Sequence, residues 1–298
     1  MKNRTNLFIA LIFMMVCLVL ILAVSVPAGV SMETVELTPV AYMPLVATST
    51  CPRTSSNSYG GGTAFQVEFD DPVRPASNHA DKNIELRGYQ PNPDPNLVLD
   101  LVDYGLNDPT PPPQFATLFS PNRVPAFIEV YQVRGWNWAP SPEPGSRGDP
   151  ISNPPVTALG MAVTPGEELH VPHSGYDIGG GMEVILLYAD EDTVALRYGR
   201  EDSAGVQGFT VHIDNICTDR NLLALYASLD SPSGPRYVYK PPHQRPYAYP
   251  LPNLATGQPL GTARDSEVIV AIVDTGRFWD PRSCDDWWQI RPGYGACP

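Results

Sequence analysis

The sequence predicts a mainly β protein, organised as a barrel-sandwich or β-sandwich with few helices. Short runs of alternating apolar residues recur along its second half, and turn formers such as Gly179-Gly180-Gly181 separate them. The chain also contains 34 prolines among 298 residues, and proline interrupts helices but is tolerated in loops. These two observations favour long stiff loops on a β scaffold.

The first 30 residues differ from the rest of the chain. Lys2 and Arg4 precede an uninterrupted apolar run from Leu7 to Val26. A basic end followed by such a run is typical of a secretory signal peptide or of an N-terminal membrane anchor. Its length favours an anchor, whereas the small residues that follow permit cleavage. Both interpretations predict an extracytoplasmic protein, either secreted or tethered, that meets the membrane only through this segment.

The remainder divides by composition into four segments. Residues 31–50 are a linker, 51–140 a loop-rich β region, 141–155 a Pro-rich loop, and 156–298 a β barrel-sandwich module with a disulfide-stapled tail. The length suits one large all-β domain or two small ones.

Alternation predicts the strands, and Leu97–Tyr104 is open between a short helix and a strand. One helix is expected after Thr218 or Asp219, because apolar residues from Leu222 to Leu229 recur at helical spacing. The expected strands are Ala64–Phe69, Ala126–Val133, Val156–Val163, Glu168–Val171, Met182–Tyr188, Thr193–Tyr198, Gly208–Ile213 and Glu267–Val273.

Charge and cysteine content restrict the function. The net charge of −13 at pH 7 excludes a nucleic-acid-binding surface, which needs Lys and Arg to neutralise phosphates. Apart from Cys17 there are four cysteines, and an even number outside the cytoplasm indicates disulfides. Three pairings are open. The short separation of Cys284 and Cys297 favours that pair, which leaves Cys51 with Cys217.

A family resemblance appears in the second half. The segment His173-Ser174-Gly175-Tyr176-Asp177-Ile178 is similar to the H-x-G-x-D-I segment of lysostaphin-type zinc endopeptidases, and Ala224–Leu229 is similar to their x-L-Y-A-H-L segment. The order and rough spacing of the motifs match over about residues 165–282. The resemblance implies a barrel-sandwich fold, with His173 and Asp177 in the positions of two zinc ligands.

The chain departs from the family where the other ligands are expected. Ser228 replaces the His of the x-L-Y-A-H-L segment, and the Glu267–Val273 strand has no His where the family has H-x-H. A catalytic zinc needs three protein ligands and a water, so the sequence predicts a degenerate relative without a cofactor. The alternative is a zinc-dependent cell-wall hydrolase with the ligands His173, Asp177 and either His212 or His170.

His212 and the tryptophans complete the candidates. His212 alternates with Val211 and Ile213, so we expect it on the other strand face, exposed or paired with Asp202 or Glu201. Exposed flat rings bind sugars or partner surfaces. The candidate rings are Trp136 and Trp138, on one strand face, and Trp287 and Trp288, which crowd the tail with Trp279.

Together these features predict an exported, non-catalytic accessory protein. Its expected partner is a cell-envelope component, such as a glycan or peptide, or another surface protein. A structural subunit of a surface assembly is a further alternative.

Overall fold

The computed structural model describes residues 51–65, 76–105, 112–138, 145–201, 208–231, 233, 248–289 and 297. The apolar N-terminal segment and the linker lie outside these ranges, as does most of the strand expected at Ala64–Phe69. The described residues belong to one compact unit, Ala47–Pro298.

The described residues are mainly β, which confirms the predicted fold class. The strands are β1 (Gly60–Phe65), β2 (Tyr89–Pro91), β3 (Phe127–Asn137), β4 (Ser146–Pro150), β5 (Ala158–Ala162), β6 (Glu168–His170), β7 (Val184–Ala189), β8 (Thr193–Arg197), β9 (Phe209–Asp214), β10 (Ile216–Thr218), β11 (Ala248–Leu254), β12 (Pro259–Ala263), β13 (Glu267–Asp274) and β14 (Arg277–Trp279). The α-helices are α1 (Ile84–Arg87), α2 (Arg220–Leu229) and α3 (Cys284–Trp287), and short 3₁₀ helices span Ala76–Asn78 and Phe115–Leu118.

Two antiparallel sheets form the scaffold. Eleven strands make the larger sheet, in the order β1-β11-β7-β8-β9-β13-β5-β3-β2, with β14 added to β13 and β4 added to β3. The smaller sheet has the order β10-β12-β6. Both sheets contribute to the main hydrophobic cluster, for example through Val270 of β13 and Leu260 of β12, so the core lies in a sandwich.

The larger sheet joins the two regions that composition separates. Strands β1 to β3 come from residues 51–140, and the central strands come from residues 156–298. The segment 141–155, expected as a loop, instead contains β4, which pairs with β3 through Arg134, Trp136 and Asn137. The stretch Leu97–Tyr104 is neither helix nor strand and makes only an isolated bridge from Val102 to Ser283.

Strand β13 is buried on both faces, which explains its continuous apolar sequence. Val268, Val270 and Ile272 enter the main cluster, whereas Ile269, Ala271 and Val273 enter a second cluster on the opposite face. That second cluster is completed by residues from the N-terminal region, namely Ile84 of α1 and Tyr131 and Val133 of β3.

The helix α2 and the two disulfides form where the sequence predicts them. Asp219 caps α2 by accepting hydrogen bonds from the backbone N–H groups of Asn221 and Leu222, as the sequence predicts. The disulfides join Cys51 to Cys217 and Cys284 to Cys297, with Cα atoms 5.2 Å and 5.8 Å apart. The first bond ties the start of the described chain to β10, and the second ties the tail to α3.

Candidate functional site

A cavity of about 750 Å³ opens beside β14, and we call it the Trp279 cleft. Its volume lies within the range of small-molecule sites. It is lined by Arg87, Tyr104, Ile151, Asn153, Pro154, Pro155, Gly276, Arg277, Phe278, Trp279, Asp280, Ser283 and Asp286.

Strand pairing positions the cleft. One edge of β13 binds β9 along Ile269–Asp274, and its other edge binds β5 only as far as Val270. The remainder of that edge, from Ile272 to Asp274, is taken by β14. Residues 153–155 lead into β5, so this loop faces β14 where the two strands share the edge. The chain reverses into β14 through Thr275 and Gly276, which have φ angles of 49° and 75°.

A buried ion pair forms one wall of the cleft. Asp280 and Arg282 are almost fully buried, with Arg282 Nε 3.0 Å from Asp280 Oδ1 and Nη2 2.7 Å from Oδ2. The Tyr104 hydroxyl also donates to Oδ2 of Asp280, at 2.9 Å. Partial burial and the Asp280 carboxylate raise the pKa of Tyr104, so this phenol stays protonated. Both carboxylate oxygens of Asp280 are therefore occupied by structural contacts.

A second cation is also committed to structural contacts. The guanidinium of Arg87 lies 5.2 Å from the centre of the Phe278 ring and donates to the carbonyl oxygens of Ala80 and Arg134. It also pairs with Asp81. Burial lowers the pKa of Arg87, and the Asp81 carboxylate opposes that shift. Arg87 thus fixes the cleft wall and offers a ligand little free charge.

The open side of the cleft carries the groups that remain available. The side chain of Arg277 is exposed and forms no ion pair or hydrogen bond within the described ranges, and Tyr104 is 47% exposed. Trp279 is half-buried, and its indole N–H has no hydrogen-bond partner among the described residues. Arg277 and Trp279 are two residues apart in β14, so they project from the same strand face.

Two of the four predicted ligand-binding tryptophans are core residues. Trp287 and Trp288 are 2% and 0% exposed, and their indole N–H groups donate to the carbonyl oxygens of Asp280 and Pro281. Phe115 contacts both rings, at centroid distances of 6.4 Å and 5.7 Å. The expectation that these two rings contact a ligand is therefore wrong, because distant aromatic residues enclose them.

The other two tryptophans lie at the end of β3. Trp138 is 49% exposed and Trp136 is half-buried, and their ring centroids are 6.3 Å apart, in agreement with a shared strand face. Neither ring lines the Trp279 cleft. They form a separate aromatic surface on the β3–β4 hairpin.

The residues expected as zinc ligands do not converge. Each of these side chains either contacts a different partner or is buried apart from the others. His173 Nδ1 lies 3.1 Å from Glu183 Oε1 and 3.2 Å from Thr256 Oγ1, and Asp177 accepts a hydrogen bond from the backbone N–H of Gly179.

His170 pairs with Glu168 at 2.8 Å. Two groups of three candidate ligands occur among the described residues, Glu85 with Asp190 and Asp192, and Cys284 with Asp285 and Cys297. Neither group contains a histidine or Asp177, so the structure does not bring the predicted ligands His173, Asp177 and His212 or His170 together.

His212 is buried, which corrects the expectation that it is exposed; it does not pair with Glu201, and Asp202 lies outside the described residues. It lies on the predicted strand face, opposite Ala271 in the β9–β13 register, but the second cluster covers that face. Its side chain is 1% exposed, and neither ring nitrogen has a hydrogen-bond partner among the described residues. Burial, followed by the positive charge of Arg87, lowers the pKa of His212 to about 3.

Sequence reasoning missed most of the cleft. Trp279 is one of the crowded tail aromatics of the sequence analysis, but Tyr104 and Asn153 come from loops with no motif, and Arg277 begins the short strand β14. The only available signal was the run Arg277-Phe278-Trp279 after the Asp-Thr-Gly turn, where a cation and a ring alternate.

Comparison of the chain with protein-family models, curated proteins and solved structures gives no match. Among the described residues, none of the helices has the length and apolar character required to cross a bilayer.

Proposed function

We propose that this chain is an exported accessory protein that binds a saccharide of the cell envelope in the Trp279 cleft, without catalysing a reaction on it. The observation that carries the proposal is the composition of the cleft. A concave space of about 750 Å³ combines the rings of Tyr104, Phe278 and Trp279 with polar groups at its opening. Small-ligand sites typically combine apolar and aromatic walls with a few oriented polar groups.

The chemistry of the lining supports binding rather than hydrolysis. None of the described lining residues is a histidine or a cysteine. The two carboxylates are engaged, Asp280 by Arg282 and Tyr104, and Asp286 by the Ser283 hydroxyl at 2.7 Å. A general acid or base must be free to exchange a proton with the substrate. A degenerate relationship to lysostaphin-type endopeptidases is part of this proposal. The histidines that the family uses as zinc ligands are missing at Ser228 and in the Glu267–Val273 strand, which supports the absence of catalysis.

Calorimetric titration of the full chain with short oligosaccharides tests the proposal. The panel contains N-acetylchitotetraose, tetragalacturonate and a heparin tetrasaccharide, with an unrelated tetrapeptide for comparison. We expect at least one saccharide to bind and Tyr104→Ala to weaken that binding at least tenfold, because Tyr104 supplies the exposed ring of the cleft. Thermal unfolding checks that the variant remains folded.

Trp138→Ala is the matched control, since Trp138 is a similarly exposed aromatic residue outside the cleft. We expect it to leave saccharide affinity unchanged. Loss of binding in Trp138→Ala but not in Tyr104→Ala would move the site to the β3–β4 hairpin. Absence of binding by every saccharide of the panel at millimolar concentration would refute the proposal.

A further inference from the structure

We propose that the saccharide bound in the Trp279 cleft carries an anionic substituent, which the guanidinium of Arg277 binds while the sugar ring packs on Trp279. This inference rests on the proposed function and adds the chemical class of the ligand. It follows from the distribution of charge in the cleft, from the geometry of β14 and from the donor pattern of arginine.

The first step is that Arg277 is the uncommitted cation of the cleft. Arg87 is held by Asp81, and Arg282 is held by Asp280. The side chain of Arg277, in contrast, is exposed and makes neither an ion pair nor a hydrogen bond with any described residue. An exposed cation without an ion pair at the mouth of a cleft attracts an anion locally, against the overall repulsion from a chain whose net charge is −13.

The neighbouring acids form no ion pair with Arg277 in the part of the chain that the structure describes. Asp274 stands opposite Arg277 in the β13–β14 register, but its carboxylate accepts a hydrogen bond from the Thr275 hydroxyl and forms no ion pair with Arg277. Asp286 is 1% exposed and accepts from Ser283.

The second step is the spacing along β14. Residues two apart in a strand project from one face and lie about 6.6 Å apart along the strand axis. Arg277 and Trp279 occupy such positions, so the guanidinium and the indole present adjacent surfaces. A ring stacked on Trp279 would place a substituent on its edge within reach of the long Arg277 side chain.

The third step is the chemistry of the guanidinium. Its planar fork of N–H donors matches the two oxygens of a carboxylate, and it also binds sulfate and phosphate oxygens. The ligand chemistry is therefore a saccharide with an oxyanion. A carboxylated and a sulfated sugar share this chemistry, and the experiment distinguishes them.

The test compares matched ligands by calorimetric titration of the full chain. Tetragalacturonate is compared with its methyl ester, which keeps the rings and removes the charge, and a heparin tetrasaccharide is compared with its desulfated form. N-acetylchitotetraose is the neutral reference. We expect one anionic ligand to bind at least tenfold more tightly than its neutral partner, a difference of about 1.4 kcal/mol.

The variants assign that difference to a residue. Arg277→Gln should abolish the preference for the anionic ligand and leave binding of the neutral partner unchanged. Arg277→Lys should retain part of the preference, because it keeps the charge but loses the fork. Arg53→Gln, which removes an exposed arginine that does not line the cleft, should leave every affinity unchanged.

The outcomes separate the two proposals. Equal binding of the charged and neutral partners, or an unchanged preference in Arg277→Gln, overturns the assignment of an anionic ligand while the cleft remains a saccharide site. Absence of binding by all five saccharides overturns the proposed function as well. The pair that shows the preference identifies the anion as a carboxylate or a sulfate.

Discussion

Burial of His212 predicts that acid destabilises the folded protein. The imidazole is 1% exposed, stacks 6.3 Å from the ring of Phe278 and has no hydrogen-bond partner among the described residues at either nitrogen. Burial and the charge of Arg87 lower its pKa from the ordinary value of 6.5 to about 3. The folded protein therefore keeps His212 neutral at pH values where the unfolded chain protonates it.

The size of the effect follows from the two pKa values. Between pH 6.5 and pH 3 the unfolded chain binds a proton that the folded chain does not, so the free energy of unfolding decreases as the pH falls. Each unit of pKa difference corresponds to about 1.4 kcal/mol, so lowering the pH from 7 to about 4.5 should cost about 2.5 kcal/mol from this residue alone.

Several carboxyl groups have raised pKa values, which increase the free energy of unfolding as the pH falls. Burial, followed by the charges of Asp192 and other acids, raises the pKa of Glu85 to about 7, and burial also raises the pKa values of Asp190, Asp214 and Glu267. A raised carboxyl pKa adds stability as the pH falls through it, because the folded state then binds the proton more readily. The His212 contribution must therefore be measured as a difference between variants.

His212→Leu is the informative substitution. It replaces the ring with an apolar side chain of similar size and removes two buried polar atoms that lack partners, each of which costs about 1–3 kcal/mol. We expect the variant to be at least as stable as the original chain at pH 7. Its advantage should grow by about 2.5 kcal/mol when urea unfolding is repeated at about pH 4.5.

Thr210→Val provides the control. Thr210 is buried on the same face of β9, two residues from His212, and does not titrate. Its substitution should shift stability equally at both pH values. If His212→Leu and the original chain lose stability in parallel on acidification, the histidine is not enclosed as described and the argument fails.

Three further substitutions test the fold and are measured by urea or thermal unfolding. Arg282→Met should cost about 3–5 kcal/mol, because it leaves the buried Asp280 carboxylate unpaired, and adding Asp280→Asn should recover part of the loss. Asp219→Ala should cost about 1 kcal/mol by removing the cap of α2, whereas Asp219→Asn should cost less. The double change Cys51→Ala and Cys217→Ala should cost about 2–5 kcal/mol, and reduction of the original chain, which also opens Cys284–Cys297, should cost at least as much.

The strands that sequence predicts best are those whose apolar pattern is local. Expected strands at Thr193–Tyr198 and Glu267–Val273 correspond to β8 and β13 with ends that differ by one residue. Strand β4 was missed because Ser146–Pro150 has no buried residue and joins β3 through its backbone, so no apolar pattern marks it.

Burial of single side chains is less accessible from sequence, because distant residues decide it. Trp136 lies at the end of β3 and stays partly open, whereas Trp287 lies at the end of α3 and is enclosed by Phe115 and Phe209. The cleft is equally hard to predict, because residues from distant parts of the chain form it. Tyr104 and Asp280 are far apart in the chain and meet only because the fold brings their loops together.

One face of the larger sheet is covered by other parts of the chain. This cover accounts both for the burial of His212 and for the position of the cleft at the sheet edge. The face of β9 and β13 that carries His212 is closed by Ile84 and Tyr131, which belong to the N-terminal region. A hydrolytic metal needs a coordination position that water can reach, and the enclosed face around His212, which is 1% exposed, offers solvent no path to one. Because this face is filled from within the chain, the proposed ligand would enter at the edge, where β14 pairs with β13 and Arg277 remains exposed.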